Sequence, residues 1–312
     1  MDTQAMVAAI KENVSRVMVG KEEAIDLLLT ALICRGHVLI EDVPGIGKTT
    51  LVSALARSLG CSFGRVQFTP DVMPSDVTGF TMANLKTGAF EYCQGAIMKQ
   101  IVLADEINRT SPKTQSALLE AMQEGQVTVD GQTHPLPRPF IVLATQNPVE
   151  YVGTYPLPEA QLDRFFMRLS MGYPSTREEI EIMDRFEGQS PLADLPAVAG
   201  VEEVLALQQA VVDITCGQAV KEYIALIIDA TRKHEDVVLG VSPRGSIALM
   251  QAAKGWALLQ GRDYALPDDV QRMVEPVLAH RLTLKPEARL KDMTAPRILK
   301  NILNLVRVPD AL

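Results

Sequence analysis

A glycine-rich loop is the first segment whose residue types and spacing could do chemistry. Residues 41–49 read EDVPGIGKT, between an apolar run and a helical pattern. A bound phosphate needs backbone N–H groups that point into a concavity, and Gly45 and Gly47 let the chain curl that closely. Lys48 would then reach the β- and γ-phosphates of a nucleotide, and Thr49 would offer its hydroxyl to Mg²⁺. The expected phosphate contacts are Pro44, Gly45, Ile46, Gly47, Lys48, Thr49 and Thr50.

A second segment supplies two adjacent acids. Residues 101–109 read IVLADEINR, so four apolar residues lead into Asp105 and Glu106. Ligands of doubly wound sheets bind at the carboxyl ends of the strands, where both carboxylates should emerge. Asp105 is suited to hold Mg²⁺ through water, and Glu106 to polarise an attacking water as general base. Solvated carboxylates at a strand end are the alternative, and the phosphate loop upstream argues against it.

A neutral polar residue follows a third apolar run. The run FIVLAT at 140–145 leads into Gln146-Asn147-Pro148. If this strand lies between the other two, Asn147 is near the γ-phosphate, where an amide can orient water without adding charge. An ordinary Asn-Pro turn is the alternative interpretation.

Strands and helices must position these residues. In the first 170 residues, short apolar runs alternate with helical patterns. The two longest apolar runs are apolar at nearly every position, which is typical of strands buried on both faces of a parallel sheet. The predicted strands are His37–Glu41, Arg65–Phe68, Gln100–Asp105, Phe140–Thr145 and Phe166–Leu169. The predicted helices are Thr49–Leu59, Lys113–Gly125 and Pro158–Phe165. This alternation predicts an α/β layered domain.

Two segments interrupt the alternation. Residues 78–95 hold two short runs around Asn84–Gly88, which predicts a hairpin. Residues 125–139 hold an Asp-Gly turn and a Pro-rich stretch, which predicts a second hairpin or a loop.

The pattern changes after Tyr173-Pro174. From Ser175 onward the sequence shows amphipathic helices and no strand-like run of comparable quality. We therefore predict an α/β domain over 1–173 and a helical domain over 174–312. Helices are expected after Ser175 and near 201–213, 218–233, 243–260 and 267–281.

Composition limits the class of protein. Hydrophobic residues make up 47% and charged residues 22%, which supports a sizeable core and excludes global disorder. No apolar run approaches the roughly 18–20 residues of a spanning helix. The first residues lack the basic and apolar regions of a secretion signal. Because the four cysteines form no C-x-x-C pair, reduced thiols and a cytoplasmic location are expected.

Charge and histidine spacing argue against two further classes. The net charge is −8, and 1–170 and 171–312 each carry −4. With no basic half or tail, a dedicated nucleic-acid binder is not expected. The four histidines never pair at ligand spacing, so a histidine metal centre is not expected either.

At this point the chain resembles the AAA+ ATPases, and within them the MoxR family. The resemblance covers nearly the whole chain. Besides EDVPGIGKT it rests on LADEINRTSPKTQSALLEAMQEGQVT at 103–128, on ATQNPVEYVGTYPLPEAQLDRFFMRL at 144–169 and on VSPRGS at 241–246. Asp42 stands where the general phosphate-loop pattern has glycine, and members of the family often lack that glycine.

The resemblance implies roles for individual residues. Lys48 and Thr49 look like the Walker A pair, Asp105 and Glu106 like Walker B, and Asn147 like sensor 1. In LDRF, Arg164 looks like the arginine finger that reaches a neighbour's γ-phosphate, with Arg168 as the alternative.

Three further positions are weaker candidates. Arg244 looks like sensor 2; it follows Ser242-Pro243, and an arginine at a helix N-terminus is more natural when it faces phosphate. Val19-Gly20, expected before the first helix, resembles the adenine-site segment, and a plain glycine turn is the alternative. Gln67 could hold Glu106 away from water, although packing within a core strand is the favoured alternative.

The implied fold is a P-loop α/β domain with a five-stranded parallel sheet, followed by a helical lid. The segment 80–95 resembles the hairpin inserted in helix 2 of this clade, and 126–139 the insertion before sensor 1. Both should project toward a pore or partner face. In the first hairpin, Phe80, Met82, Phe90 and Tyr92 have little core to bury them.

The resemblance implies an ATP- and Mg²⁺-dependent motor that forms a homo-oligomeric ring, expected to be a hexamer. It would remodel a client protein, which for this family is expected to carry a von Willebrand factor A domain. The motor subunit of a metal chelatase, a nucleic-acid motor and a nucleotide switch stay open as alternatives. The hairpin 80–95 has one cation, Lys86, opposed by Glu91, which disfavours nucleic acid, and the presence of Glu106 disfavours a switch.

Overall fold

The computed structural model describes residues 3–147, 153–188 and 191–309. Its centre is a five-stranded parallel sheet. The strands are β1 (Val38–Glu41), β2 (Phe63–Gln67), β5 (Ile101–Asp105), β8 (Ile141–Gln146) and β9 (Met167–Leu169). They lie side by side in the order β2-β5-β8-β1-β9. These correspond to the five predicted strands within one or two residues at each end. The predicted fold class is confirmed.

Both faces of the sheet are buried, as the continuous apolar runs require. Val38 and Ile40 of β1 point into one hydrophobic cluster and Leu39 into another, on the opposite face. All three side chains have no exposed surface. A strand with two buried faces has no polar face to alternate, which is why the pattern is continuous.

In the described residues up to β9, the structure has six helices. They are α1 (Thr3–Ser15), α2 (Glu22–Ile33), α3 (Lys48–Ser58), α4 (Pro74–Thr78), α5 (Pro112–Glu124) and α6 (Glu159–Leu162). The expectation that Val19-Gly20 precedes the first helix is wrong, because α1 ends just before it. The helix predicted over 158–165 forms only the four residues of α6, which begins directly after Pro158.

Two antiparallel hairpins leave the body of the sheet, as expected. The first comprises β3 (Gly79–Ala83) and β4 (Phe90–Gln94), and the second β6 (Gln126–Val129) and β7 (Gln132–Pro135). The Tyr92 ring of the first stacks on the His134 ring of the second, with ring centroids 3.7 Å apart. The hairpins therefore support each other at their bases.

The remaining chain is mainly helical. Its helices are α7 (Thr176–Phe186), α8 (Val201–Asp213), α9 (Gln218–Lys233), α10 (Pro243–Leu259), α11 (Pro267–Leu278), α12 (Pro286–Leu290) and α13 (Ala295–Leu305). Two short strands, β10 (Val237–Leu239) and β11 (Thr283–Leu284), pair antiparallel and were not expected from the sequence. Helix α7 begins where predicted. The Ser175 hydroxyl accepts a hydrogen bond from the Glu178 N–H, and the Glu178 carboxylate accepts one from the Ser175 N–H.

The helical part packs directly on the sheet. Helix α10 contacts α2, and α11 contacts the edge strand β9. One hydrophobic cluster runs without a break from the sheet through α2 into α8, α10 and α11. None of the helices in the described ranges is long and apolar enough to cross a membrane.

Candidate functional site

The glycine-rich loop lies between the end of β1 and the start of α3. Gly45 and Gly47 have φ of 86° and 88°, a conformation that costs other residues strain and glycine almost none. The loop forms one wall of a cleft of about 380 Å³. The cleft is lined by Pro44, Gly45, Gly47, Lys48, Thr49, Thr50, Arg65, Gln67, Asp105, Glu106, Thr145 and Asn147. Of the predicted loop contacts, only Ile46 is outside this lining; it packs against the core.

Lys48, the first residue of α3, is turned back onto the loop. Its Nζ donates to the Asp42 carbonyl at 2.7 Å. Burial lowers the pKa of Lys48, while the nearby carboxylates of Asp42, Asp105 and Glu106 act in the opposite direction. The ammonium is thus half-buried beside acidic groups in the cleft, where an entering phosphate would meet it.

Asp42, which replaces the first glycine of the general pattern, has a structural role. Its carboxylate accepts hydrogen bonds from the Ser170 hydroxyl at 2.8 Å and from the backbone N–H groups of Met171 and Gly172. The side chain is buried. It therefore fastens the start of the phosphate loop to the segment that follows β9.

The two predicted acids lie together at the carboxyl end of β5. Thr145, on β8, links them: its Oγ1 donates to Asp105 Oδ1 at 2.6 Å and accepts the Glu106 N–H at 2.8 Å. Glu106 has φ 57° and ψ 49°, an uncommon backbone conformation for a residue with a side chain. The strained turn aims Glu106 into the cleft, and Thr145 holds that turn in place.

Two side chains of β2 also enter the cleft. Arg65 forms an ion pair with Asp105 Oδ2 at 2.7 Å and donates to Gln67 Oε1 at 2.8 Å. Gln67 donates to Glu106 Oε2 at 2.8 Å. Core packing, the favoured sequence interpretation for Gln67, is wrong, since the side chain is exposed and faces Glu106.

Sequence reasoning missed Arg65 and Thr145 as members of the cleft. The spacing of Arg65 could have indicated its place. Arg65 and Gln67 are two residues apart, so their side chains lie on the same face of β2, the edge strand beside β5. Thr145 gave no such signal, because it lies within β8, an apolar strand that is buried on both faces.

Asn147 lies one residue beyond β8, and β8 lies between β5 and β1. This is the placement on which its predicted role depended. Its side chain is nearly buried and lines the same cleft as Lys48 and Glu106. Pro148, the next residue of the motif, is outside the described residues.

The Val19-Gly20 segment lies beside the loop rather than in the cleft. Val19 is buried. Gly20 lines a separate cavity of about 710 Å³ between the sheet edge and helices α11 and α13. A side chain at Gly20 would collide with the Glu178 carboxylate of α7, and its φ is 63°. The Glu178 side chain could swing aside, so the positive φ is what favours glycine here, which is consistent with the plain-turn interpretation.

Arg164 and Arg244 lie at the opposite end of the sheet from the cleft. Arg164 precedes β9, where the Phe166 N–H donates to the His37 carbonyl at the start of β1. The two arginines line one cavity of about 290 Å³ together with His37. His37 and Asp42 are separated by five residues of extended chain, about 16 Å. Neither arginine shares the cleft of its own subunit.

Two charged residues near Arg164 in the chain, Asp163 and Arg168, are engaged with other partners. Asp163 pairs with Arg281, at 2.8 Å, rather than with Arg164. Arg168, the alternative finger, pairs with Glu41 at 2.8 Å on the edge of the sheet. Arg168 is therefore already engaged within its own chain.

The cleft has the parts that phosphoanhydride hydrolysis needs. The loop offers backbone N–H groups and a lysine to phosphates, and Thr49 and Asp105 offer oxygen atoms to a cation. Glu106 can accept a proton from water, and Asn147 can orient that water. Among the described residues, Lys48 and Arg65 are the cations that line the cleft, whereas Arg164 and Arg244 line a different cavity.

Two family models match this chain. Residues 37–167 match the family model of ATPases associated with various cellular activities (AAA), and residues 229–302 match the AAA lid domain. The first match contains the loop, both acids, Asn147 and Arg164. The second contains Arg244.

Several relatives match over four fifths or more of their own length. An uncharacterized protein YeaC of Bacillus subtilis is 55% identical over 99% of this chain and 96% of its own. Chaperone MoxR1 of Mycobacterium tuberculosis is 40% identical over 96% of this chain and 81% of its own. A crystal structure of a proposed ATPase from Cytophaga hutchinsonii, 37% identical, superposes with a TM-score of 0.93 over 99% of this chain and 96% of that one.

Proposed function

The chain belongs to the MoxR family of AAA+ ATPases, and from this we propose that it hydrolyses ATP with Mg²⁺ to remodel a client protein that carries a von Willebrand factor A domain. ATPase activity and a chaperone-like role are properties of its family. One observation carries the choice of site: Lys48, Glu106 and Asn147, which are far apart in sequence, line one cleft.

The oxygen donors in the cleft suit Mg²⁺. The Thr49 hydroxyl and the Asp105 carboxylate are hard ligands, and phosphate oxygens would complete the shell. Thr145 and Arg65 orient both oxygens of Asp105. When bound, the cation neutralises charge on the phosphates.

In the proposed reaction the chain binds, orients and accepts a proton. The loop N–H groups and Lys48 hold the phosphates. Glu106 takes the proton of the attacking water, and Asn147 holds that water in line with the γ-phosphorus. Glu106 must first exchange its hydrogen bond from Gln67 for one from water.

Two variants test these roles. We expect Lys48→Ala to lose binding of a fluorescent ATP analogue, because it removes the phosphate cation. Glu106→Gln should keep binding and lose phosphate release, because an amide cannot accept the proton. The exposed Lys113→Ala variant is the control. Equal loss of nucleotide binding in both cleft variants would contradict the assignment.

We further propose that the active site is shared between subunits of a ring, with six subunits expected. Arg164 and Arg244 cannot reach their own cleft, whereas a head-to-tail neighbour would present both to it. A trans-acting arginine is worth about 10³–10⁵ in turnover. Lys48→Ala and Arg164→Ala proteins should each be inactive, and the reassembled mixture should recover part of the wild-type rate.

A dead mixture, with subunit exchange demonstrated, would exclude this sharing or mean that a ring needs every site intact. Wild-type rings that contain a few Lys48→Ala subunits separate these two explanations. A loss steeper than the fraction of variant would show that a ring needs every site intact. A loss in proportion to that fraction would exclude this need, and the dead mixture would then exclude sharing.

The client is tested by trapping. Glu106→Gln loaded with ATP should retain a protein with a von Willebrand factor A domain from the native host, and Lys48→Ala should not. Salt-sensitive retention of DNA instead would favour a nucleic-acid motor. We propose the cytoplasm as the compartment, because all four cysteines are unpaired thiols.

A further inference from the structure

Asp163, the residue before Arg164, connects three parts of the chain. Its Oδ1 accepts from Arg281 Nε at 2.8 Å, and its Oδ2 accepts from the Ser242 hydroxyl at 3.1 Å. Arg281 follows α11, and Ser242 precedes α10. One carboxylate on the finger segment is therefore held by two separate elements of the helical lid.

Arg281 continues this connection into the backbone beside Arg164. Its Nη2 donates to the Phe165 carbonyl at 2.6 Å, and its Nη1 to the Phe166 carbonyl at 3.2 Å and to the carbonyl of Val277. The Arg281 side chain is 2% exposed. Burial lowers the pKa of Arg281, and the charge of Asp163 opposes that shift. A guanidinium buried this deeply depends on its carboxylate partner.

Ser242 carries the connection to the second arginine. It is the N-cap of α10, and its Oγ accepts the Gly245 N–H at 3.4 Å while donating to Asp163. Arg244 is the second residue of that helix. Since a hydrogen-bonded cap fixes the first turn, the position of Arg244 relative to Arg164 is set through Asp163.

We propose that Asp163 is a positioning residue that holds Arg164 and Arg244 as one rigid pair for the γ-phosphate of the neighbouring subunit. The inference rests on the proposed sharing of the active site. It gives Asp163 no contact with the nucleotide of either subunit. Its effect should therefore appear only in sites to which its own subunit supplies the arginines.

That asymmetry can be measured in mixed rings. In the mixture of Lys48→Ala and Arg164→Ala proteins, the Arg164→Ala subunit binds ATP and the Lys48→Ala subunit supplies the arginines. Adding Asp163→Asn to the Lys48→Ala subunit should lower the recovered rate at least about tenfold. Adding it to the Arg164→Ala subunit, whose arginine face is already inactive, should leave the rate unchanged.

Two controls separate positioning from general damage. Asp130→Asn, at the exposed tip of the second hairpin, should be silent in either subunit. Ser242→Ala keeps the Asp163–Arg281 pair and removes the bond to α10, so it should lower the rate on the same side only. Homogeneous Asp163→Asn rings should lose kcat while the Kd for ATP stays within about twofold of wild type.

Each other outcome overturns the inference in a recognisable way. Equal losses from both placements would make Asp163 a general structural residue. No loss from either placement would show that the arginines are held without it. If the parent mixture is inactive although subunits exchange, and wild-type rings lose activity only in proportion to a few added Lys48→Ala subunits, the sharing proposal fails and the inference fails with it.

Discussion

Gln67 Nε2 lies 2.8 Å from Glu106 Oε2, so the edge strand of the sheet holds the proposed general base by one of its two oxygens. Arg109 contacts the same oxygen at 3.1 Å. Because this oxygen already accepts two hydrogen bonds, it is less available to accept one from a water molecule. The cleft is thus assembled with its base restrained.

Removing this restraint should raise basal turnover. Gln67→Ala removes one charge-assisted hydrogen bond from Glu106. A free-energy difference of about 1.4 kcal/mol corresponds to a tenfold change in rate. We expect basal phosphate release to rise up to about tenfold, with the Kd for ATP unchanged. Gln132→Ala, on the exposed β7 strand, is the control. A fall in turnover with normal binding would mean that Gln67 supports catalysis instead.

Thr145 should matter more than its size suggests. Thr145→Val keeps the volume and loses both hydrogen bonds, leaving the Glu106 turn and Asp105 Oδ1 without their common partner. We expect the rate of phosphate release to fall about tenfold or more and the Mg²⁺ concentration for half-maximal rate to rise. Thr145→Ser, which keeps the hydroxyl, should restore both. An active valine variant would contradict this reading of the bridge.

The first hairpin should contact the client through its tip. Leu85 is 97% exposed and Phe90 78%, whereas Tyr92 donates its hydroxyl proton to the Thr78 carbonyl and stacks on His134. The expectation that Tyr92 lacks packing is therefore wrong. Leu85→Ser with Phe90→Ser should preserve basal ATPase activity and abolish retention of the client by the Glu106→Gln trap.

The Tyr92→Phe variant is the structural comparison for that experiment. It keeps the stacked ring and removes one hydrogen bond at the hairpin base, so client retention should persist. If the Leu85 and Phe90 pair instead lowers basal turnover in a folded protein, the tip has a structural role.

His37 should make folding sensitive to mild acid. Its Nδ1 accepts the Val142 N–H and its Nε2 donates to the Met122 carbonyl, so the buried ring is neutral. Burial lowers the pKa of His37 from 6.5 to about 4. Unfolding therefore takes up a proton between these values. The contribution of His37 to the free energy of unfolding should be fully present above pH 6.5. It should decline as the pH falls toward 4, by up to about 3 kcal/mol.

Urea unfolding at pH 7.5 and pH 5 measures this loss. His37→Gln can keep the donor to the Met122 carbonyl but cannot titrate, so the difference in unfolding free energy between the two pH values should shrink. His234→Gln is the control for losing a half-exposed imidazole. An unchanged pH dependence in the His37 variant would exclude the ring as a source.

The sequence predicts the parts of the site that are local. The phosphate loop, the two acids and Asn147 each follow directly from an apolar strand, and parallel strands bring their carboxyl ends to one edge. Whether Arg65 and Thr145 belong to the site depends on which strands are neighbours. Strand order cannot be deduced from the local spacing of residues in the sequence.

The lid side was less predictable for the same reason. Asp163 and Arg281 are 118 positions apart, and nothing near either residue indicates its partner. From the sequence alone, the expected partner of Asp163 is Arg164, its neighbour in the chain. Helix α1 (Thr3–Ser15) is not among the helices predicted from the sequence.

The placement of Lys48 and Arg164 at opposite ends of the sheet has an arithmetical consequence. Under the proposed sharing, each subunit contributes half of two different sites. An open string of subunits therefore has one fewer complete site than it has members, and closing it into a circle adds a site without adding a protein. A repeated head-to-tail contact forms a closed ring only if its rotation angle divides a full turn. The ATPase activity per subunit therefore reports whether the ring has closed.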